Sequence, residues 1–136
     1  MTRLPDWQQR LSDWLASVSR QAFEPGAHDC ALFAAGGVLA VTAIDLGETF
    51  RGHYRSEKAG RALLREAGFD GPEALAAFWL PEWPDVRMAR AGDVAVVGTE
   101  RGPALGLFQG RAIYTPGLTG LMLLPRGEAL RAFRVG

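Results

Sequence analysis

The stretch EPGAHDCALFAAGGVLAV, residues 24–41, decides the fold, because a turn and a polar pair lead directly into a long apolar run. Pro25 and Gly26 predict the turn. Asp29 is a favourable N-cap, and residues 31–41 are apolar on every face of a helix. We therefore predict a helix that is buried on all sides and begins at the only cysteine of the chain.

Two glycines, Gly36 and Gly37, lie within this predicted helix. Each costs a helix about 1 kcal/mol relative to alanine, because glycine loses more backbone freedom on folding. We therefore expect another backbone segment to pack closely against the helix at this point.

The remainder of the chain is organised as helices followed by strands. An amphipathic, tryptophan-bearing helix precedes the central one, and Ser56 and Gly71 precede two shorter helical segments. Five β-rich runs separated by turn residues then follow: GDVAVVG (92–98), ALGLFQG (104–110), RAIYT (111–115), GLMLLP (120–125) and RAFRV (131–135). This order predicts an α+β fold, with a helical N-terminal half packed on a C-terminal antiparallel sheet, in a single domain over residues 1–136.

The composition excludes several classes of function. The 136 residues carry 15 basic and 15 acidic side chains, so the chain has no excess of positive charge for a nucleic-acid backbone or an anionic membrane. One cysteine excludes an internal disulfide and a thiolate-rich metal site. The N-terminal residues lack the apolar segment of a signal peptide. We therefore expect a protein made in the cytoplasm that uses no cofactor and binds neither nucleic acid nor membrane.

Cys30 is the candidate nucleophile. The first turn of a helix carries unpaired N–H groups and a positive dipole end, which would lower the pKa of a thiol and offer donors to an oxyanion. A cysteine hydrolase also needs an imidazole as its base. His28 and His53 are the only histidines, and His28 is too close along the chain to be well oriented. The residues alone favour a structural cysteine and leave catalysis open.

Two other segments offer candidate binding residues. The RGHYR loop contributes Arg51 and Tyr54 beside His53, as a cleft wall or docking surface, or as a solvated loop with the tyrosine tucked under the sheet. The FWLPEWPDV segment contributes Trp79 and Trp83, and rigid aromatic side chains of this kind are enriched at partner surfaces. Core packing is the alternative for these tryptophans. Asp29 completes the set of candidate binding residues.

These motifs resemble the NlpC-type cell-wall peptidases of the papain-like superfamily. In that family an Asp-Cys-Ala or Asp-Cys-Ser turn carries the nucleophile, Gly-Asp-hydrophobic opens the sheet, and the catalytic histidine begins a His-hydrophobic-Gly-hydrophobic strand. The corresponding residues here are Asp29 and Cys30, then Gly92 and Asp93, and finally Ala104 at the histidine position. The resemblance therefore implies a peptidase fold without its catalytic histidine.

The whole chain is also similar to small proteins of phages and prophages that are usually encoded among tail genes. The matching features are Trp7 and Trp14, the HDCALF turn at 28–33, the RGHY loop at 51–54 and the ending at 132–135. The resemblance implies a tail-tip or tail-assembly protein that contacts tail hub and tip proteins. It would be made in the host bacterial cytoplasm and then carried in the virion tail.

The resemblance leaves two functions to weigh. The first is a structural tail protein with an inactive peptidase-like fold, in which Cys30 is a vestigial nucleophile. The alternative is an active cysteine hydrolase of peptidoglycan stem peptides, working during tail assembly or genome delivery with His28 or His53 as its base. Loss of one triad member costs roughly three to six orders of magnitude in turnover, so we favour the structural protein.

Overall fold

The computed structural model describes all 136 residues and confirms the α+β fold. Short 3₁₀ turns lie at Val86–Met88 and Arg126–Glu128. The helices are α1 (Trp7–Ser17), α2 (Cys30–Thr42), α3 (Glu57–Glu66) and α4 (Pro72–Trp79), and the strands are β1 (Val94–Thr99), β2 (Gly102–Gln109), β3 (Ala112–Gly117), β4 (Gly120–Pro125) and β5 (Arg131–Phe133). The five β-rich runs of the sequence therefore all form strands. None of the four α-helices combines the length and the apolar character that crossing a bilayer requires.

The strands form one antiparallel sheet in the order β4-β3-β2-β1-β5. Pairing between β2 and β3 is incomplete. The pairing runs from the pair of Gln109 with Ala112 to the pair of Leu107 with Tyr114 and stops there. Strand β2 nevertheless begins at Gly102, and β3 continues to Gly117. The two strands thus leave an unpaired gap in the middle of the sheet.

Helix α2 is the centre of the molecule, as the apolar run predicts. The Asp29 side chain accepts a hydrogen bond from the Leu32 amide at 3.0 Å, which confirms the predicted N-cap. A Cβ at Gly36 would overlap the indole ring of Trp14, and one at Gly37 would overlap the side chain of Leu107. The expectation of a closely packed backbone is therefore wrong: the glycines make room for two large side chains, one from α1 and one from β2.

The sheet separates two apolar clusters. The larger cluster joins α1, α2 and α4 to one face of the sheet, and the smaller one lies on the opposite face under the segments around Ala89 and Ala129. Because strand side chains alternate between the faces, Leu105 and Leu107 of β2 belong to the larger cluster while Phe108 belongs to the smaller one. Helix α3 has no buried residue and belongs to neither cluster.

Asp93, at the start of the sheet, connects both ends of the chain. Its carboxylate is fully buried and accepts hydrogen bonds from the Arg3 guanidinium at 2.9 Å, the Val135 amide at 2.9 Å, the Trp83 indole at 2.8 Å and the Arg90 amide at 2.9 Å. Burial lowers the pKa of Arg3, with Arg90 contributing, while Asp93 opposes that shift. The Asp of the GDV motif is thus a structural anchor that has all its acceptor sites occupied.

Candidate functional site

A cavity of about 340 Å³ is lined by the start of α2 and by residues beside the unpaired gap between β2 and β3. Helices α3 and α4 form its other walls. Its lining is largely apolar, with Phe23, Phe50, Leu64, Leu75, Trp79 and Met122 among the larger side chains. The volume lies at the lower end of the range for ligand-binding cavities. This cavity is the candidate functional site.

Cys30 lines this cavity from the first position of α2. Burial raises the pKa of its thiol to about 11, and the negative charge of Asp29 adds to the effect, whereas the backbone amides of Leu105 and Ala31 oppose it. The helix start was expected to lower this pKa, and that expectation is wrong. The apolar surroundings penalise a thiolate more than the amides and the helix dipole stabilise it. The thiol is therefore protonated at neutral pH.

Asp29 brings the HDC turn and the RGHY loop together. Its second carboxylate oxygen accepts hydrogen bonds from the Gly26 amide at 3.0 Å and from the Tyr54 hydroxyl. Burial raises the pKa of Tyr54, and the hydrogen bond to Asp29 adds to this because a carboxylate favours the neutral phenol. Gly26 has a φ of +81°, and a Cβ there would overlap the carbonyl of Tyr54. The turn glycine thus permits the close approach of the loop that supplies the tyrosine.

Neither histidine lines the cavity. The His28 ring is buried in edge contact with Phe33, at 6.0 Å between centroids, and its Nε2 has no hydrogen-bond partner. Burial lowers the pKa of His28, although the charge of Asp29 opposes the shift. His53 is exposed on the loop. The structure therefore brings Asp29, Cys30 and Tyr54 together at the cavity and leaves both imidazoles outside its lining.

Ala104 lies on β2 and lines the same cavity as Cys30. It precedes Leu105, the residue whose amide points to the thiol. Ala104 also packs against the smaller apolar cluster, because β2 alternates its side chains between the two faces of the sheet. The position that the resemblance matches to the family's histidine thus borders the cavity, while its methyl group packs on the opposite face of the sheet.

The other candidate binding residues have separate roles. Arg51 makes a two-point ion pair with Asp45, at 2.7 and 3.0 Å, outside the cavity lining, and this carboxylate raises the pKa of Arg51. Trp79 lines the cavity and meets Phe50 edge-on, at 6.4 Å between centroids. Trp83 is held by Asp93, as described above. Within the FWLPEWPDV segment, Phe78 is the exposed aromatic side chain, at 74%.

The sequence did not indicate several residues of the cavity. Thr115 bridges the gap by donating its hydroxyl to the Leu105 carbonyl at 3.0 Å. Pro103 and Pro116 flank the same gap, and proline cannot donate a ladder hydrogen bond, which suits a place where strand pairing stops. A proline directly beside each of two neighbouring β-rich runs was the available signal. No sequence signal pointed to Arg61 and Arg101, which lie at the rim of the cavity.

The chemistry of the site is that of a binding cavity. It has an apolar interior, a protonated thiol, and a carboxylate whose oxygens are engaged by the helix start, the turn and Tyr54. No group of three or more His, Cys, Asp or Glu side chains is placed to hold a metal ion.

Fold and site together define a small α+β domain in which a buried helix presents its first residue, a cysteine, to a cavity beside a split sheet. The chain belongs to the family described as a domain of unknown function, DUF6950, whose family model matches residues 2–135. No curated protein matches the sequence.

Proposed function

We propose that this chain is a structural protein of a phage or prophage tail, acting at the tail tip or in tail assembly, with an inactive NlpC-type peptidase fold. The motif resemblance supports the tail and peptidase parts of the proposal. One structural observation carries the inactivity: the cavity that Cys30 lines contains no histidine, and Ala104 borders it where the family has its base.

The protonation state of the thiol supports the same conclusion. With a pKa of about 11, roughly one thiol in ten thousand is ionised at pH 7, and the thiolate is the attacking species. An active enzyme of this type relies on an imidazole to create the thiolate and to protonate the leaving group. The cavity provides neither, so a bound group would be held without being cleaved.

The interior of the cavity also disfavours peptidoglycan as a substrate. Stem peptides carry several carboxylates and amines, and burying unpaired charges is costly. The larger side chains of the interior are aromatic or aliphatic, the acidic Asp29 is already occupied, and the arginines Arg61 and Arg101 lie only at the rim. An apolar part of a tail hub or tip protein fits this lining better.

The first experiment is complementation of a phage that lacks this gene. Cys30→Ala and Cys30→Ser should both support normal tails and infectivity, at a stability cost of about 1 kcal/mol. In parallel, the purified wild-type protein is incubated with peptidoglycan fragments and should release no product. Stem-peptide cleavage by the wild type that disappears in Cys30→Ala would establish the hydrolase and overturn the proposal.

The second experiment concerns the partner surface. Phe78 is exposed and Trp83 is bound to Asp93, so Phe78→Glu should leave the isolated domain folded and reduce incorporation into particles. The matched control is Leu130→Glu, because Leu130 is similarly exposed, at 64%, and lies outside the FWLPEWPDV segment. Equal incorporation of both variants into particles would show that Phe78 is not part of the partner surface.

A further inference from the structure

The mouth of the cavity is apolar as well as its interior. Leu118, at the tip of the β3–β4 hairpin, is 77% exposed, and Met122 on β4 is 47% exposed. Both line the cavity. Exposed apolar side chains that continue an apolar cavity mark a surface that another molecule covers.

Helix α3 contributes charged side chains to the mouth of the cavity. Glu57, Arg61 and Leu64 follow one another at helical spacing and all line the cavity. Glu57 forms an ion pair with Arg101 of the β1–β2 turn. Arg61, one turn further along α3, is exposed and makes no ion pair. The mouth therefore offers one free guanidinium beside apolar surface.

The size of the apolar surface favours a polypeptide over a small amphiphile. A cavity of about 340 Å³ accommodates a small group, and such a ligand would touch Leu118 without covering the exposed hairpin tip. A chain segment can fill the interior with side chains and also cover the hairpin tip. The gap between β2 and β3 supplies few strand-pairing partners, because Pro103 and Pro116 lack an N–H and the Leu105 carbonyl is occupied by Thr115. Recognition must then come from side chains.

We propose that this cavity binds a segment of a partner polypeptide that places two adjacent apolar side chains in the cavity and on its mouth and an aspartate or glutamate beside Arg61. The inference rests on the proposed function, since it names the chemistry of the partner that the tail protein would bind. The partner's carboxylate would sit against Arg61 as Glu57 sits against Arg101.

Fluorescence titration tests this inference, because Trp79 lines the cavity and reports its occupation. The probes are capped pentapeptides, acetyl-Ser-Leu-Phe-Glu-Ser-amide and its reversed-order counterpart, each compared with its glutamine and lysine versions. Dodecanoate serves as the small amphiphile. The glutamate peptide should bind about two- to fivefold more tightly than the glutamine peptide, which is the usual range for an exposed ion pair. Trp79→Phe should abolish the signal and identify its source.

Matched variants locate the binding. Arg61→Glu should reverse the preference, so that the lysine peptide binds more tightly than the glutamate one, while Arg65→Glu, on the same helix but outside the cavity lining, should change nothing. Leu118→Asp should weaken glutamate-peptide binding about tenfold, and Leu130→Asp should not. The inference would be overturned if peptide binding did not depend on the charge at residue 61. It would also be overturned if dodecanoate alone bound, or if no peptide bound. The proposed function is tested separately, by the assay of stem-peptide cleavage and by complementation with Cys30→Ala.

Discussion

Two aspartates of the sequence motifs, Asp93 of GDV and Asp29 of HDC, have different surroundings. Asp93 is fully enclosed and receives four donors, one of them the cationic Arg3. Asp29 receives three neutral donors and lies beside the cavity and the Cys30 thiol. At the Asp93 end of the molecule, an ionic network satisfies every acceptor of the carboxylate. At the Asp29 end, neutral polar groups border the cavity.

The difference extends to the neighbours of each aspartate. Around Asp93, Arg3 also donates to the carbonyls of Val135 and Ala91, at 2.8 and 2.7 Å. Around Asp29, the buried Nε2 of His28 has no partner and the thiol is held neutral by burial. Buried groups without partners cost free energy, so the cavity end is the less stable part of the fold, which is common where proteins bind ligands.

The largest effect is expected from Asp93→Asn. The substitution leaves the Arg3 guanidinium buried without its counter-charge and turns an amide NH₂ toward a donor. Removing one partner of a buried ion pair costs about 3–5 kcal/mol, so urea unfolding should shift by that amount or the variant should fail to fold. The control Asp85→Asn, at an exposed pair with Arg87, should keep the wild-type midpoint. A small shift for Asp93→Asn would show that the two ends do not differ as described.

The fold class could be predicted from the sequence because its signals are local. The apolar run predicted α2, and the turn residues separated all five strands. The network around Asp93 could not be predicted, because Arg3, Trp83 and Val135 are far apart along the chain and meet only in the tertiary structure. The GDV motif indicated the start of a strand and nothing of its partners.

The second prediction concerns the reactivity of Cys30. Its pKa of about 11, against 9.0 for an ordinary cysteine, corresponds to about a hundredfold less thiolate at pH 8. Alkylation by iodoacetamide should therefore be about a hundredfold slower than that of a cysteine in a denatured control, followed by mass spectrometry. Reaction at the rate of the denatured thiol would show an activated cysteine and would favour the hydrolase.

Asp29→Asn should have a smaller effect than the same substitution at residue 93. Asparagine remains a good N-cap, but its NH₂ group can accept a hydrogen bond neither from the Gly26 amide nor from the Tyr54 hydroxyl. Hydrogen bonds to a charged group contribute about 1.5–3 kcal/mol and neutral ones about 1 kcal/mol, so we expect a loss of about 1–2 kcal/mol. In a double-mutant cycle, Tyr54→Phe should lose part of its own effect when residue 29 is already asparagine. Fully additive losses would contradict the coupling.

The candidate site was only partly predictable. The motif pattern located Asp29, Cys30 and Tyr54, which the structure brings together at the cavity. The cavity itself depends on where β2 and β3 stop pairing, and that register is set by tertiary packing. The raised pKa of Cys30 was missed for the same reason, since burial of the thiol is not a property of the helix start.

The smallest expected effect is a pH dependence that comes from His28. Burial lowers its pKa below the ordinary 6.5, so the folded protein keeps the imidazole neutral while the unfolded chain protonates it. Stability from this group is therefore present above pH 6.5 and is lost as the pH falls through the lowered folded pKa, by at most about 1.4 kcal/mol per pH unit.

His28→Phe keeps an aromatic ring against Phe33 and cannot titrate, so its unfolding free energy should fall less than that of the wild type between pH 6.5 and 5. Carboxylates titrate in both proteins, and the difference between the two curves isolates the histidine. His53→Gln should follow the wild-type curve, because that side chain is exposed. Parallel curves for wild type and His28→Phe would mean that a proton on Nε2 is accommodated, and the cavity end would then tolerate a buried charge as well as the Asp93 end does.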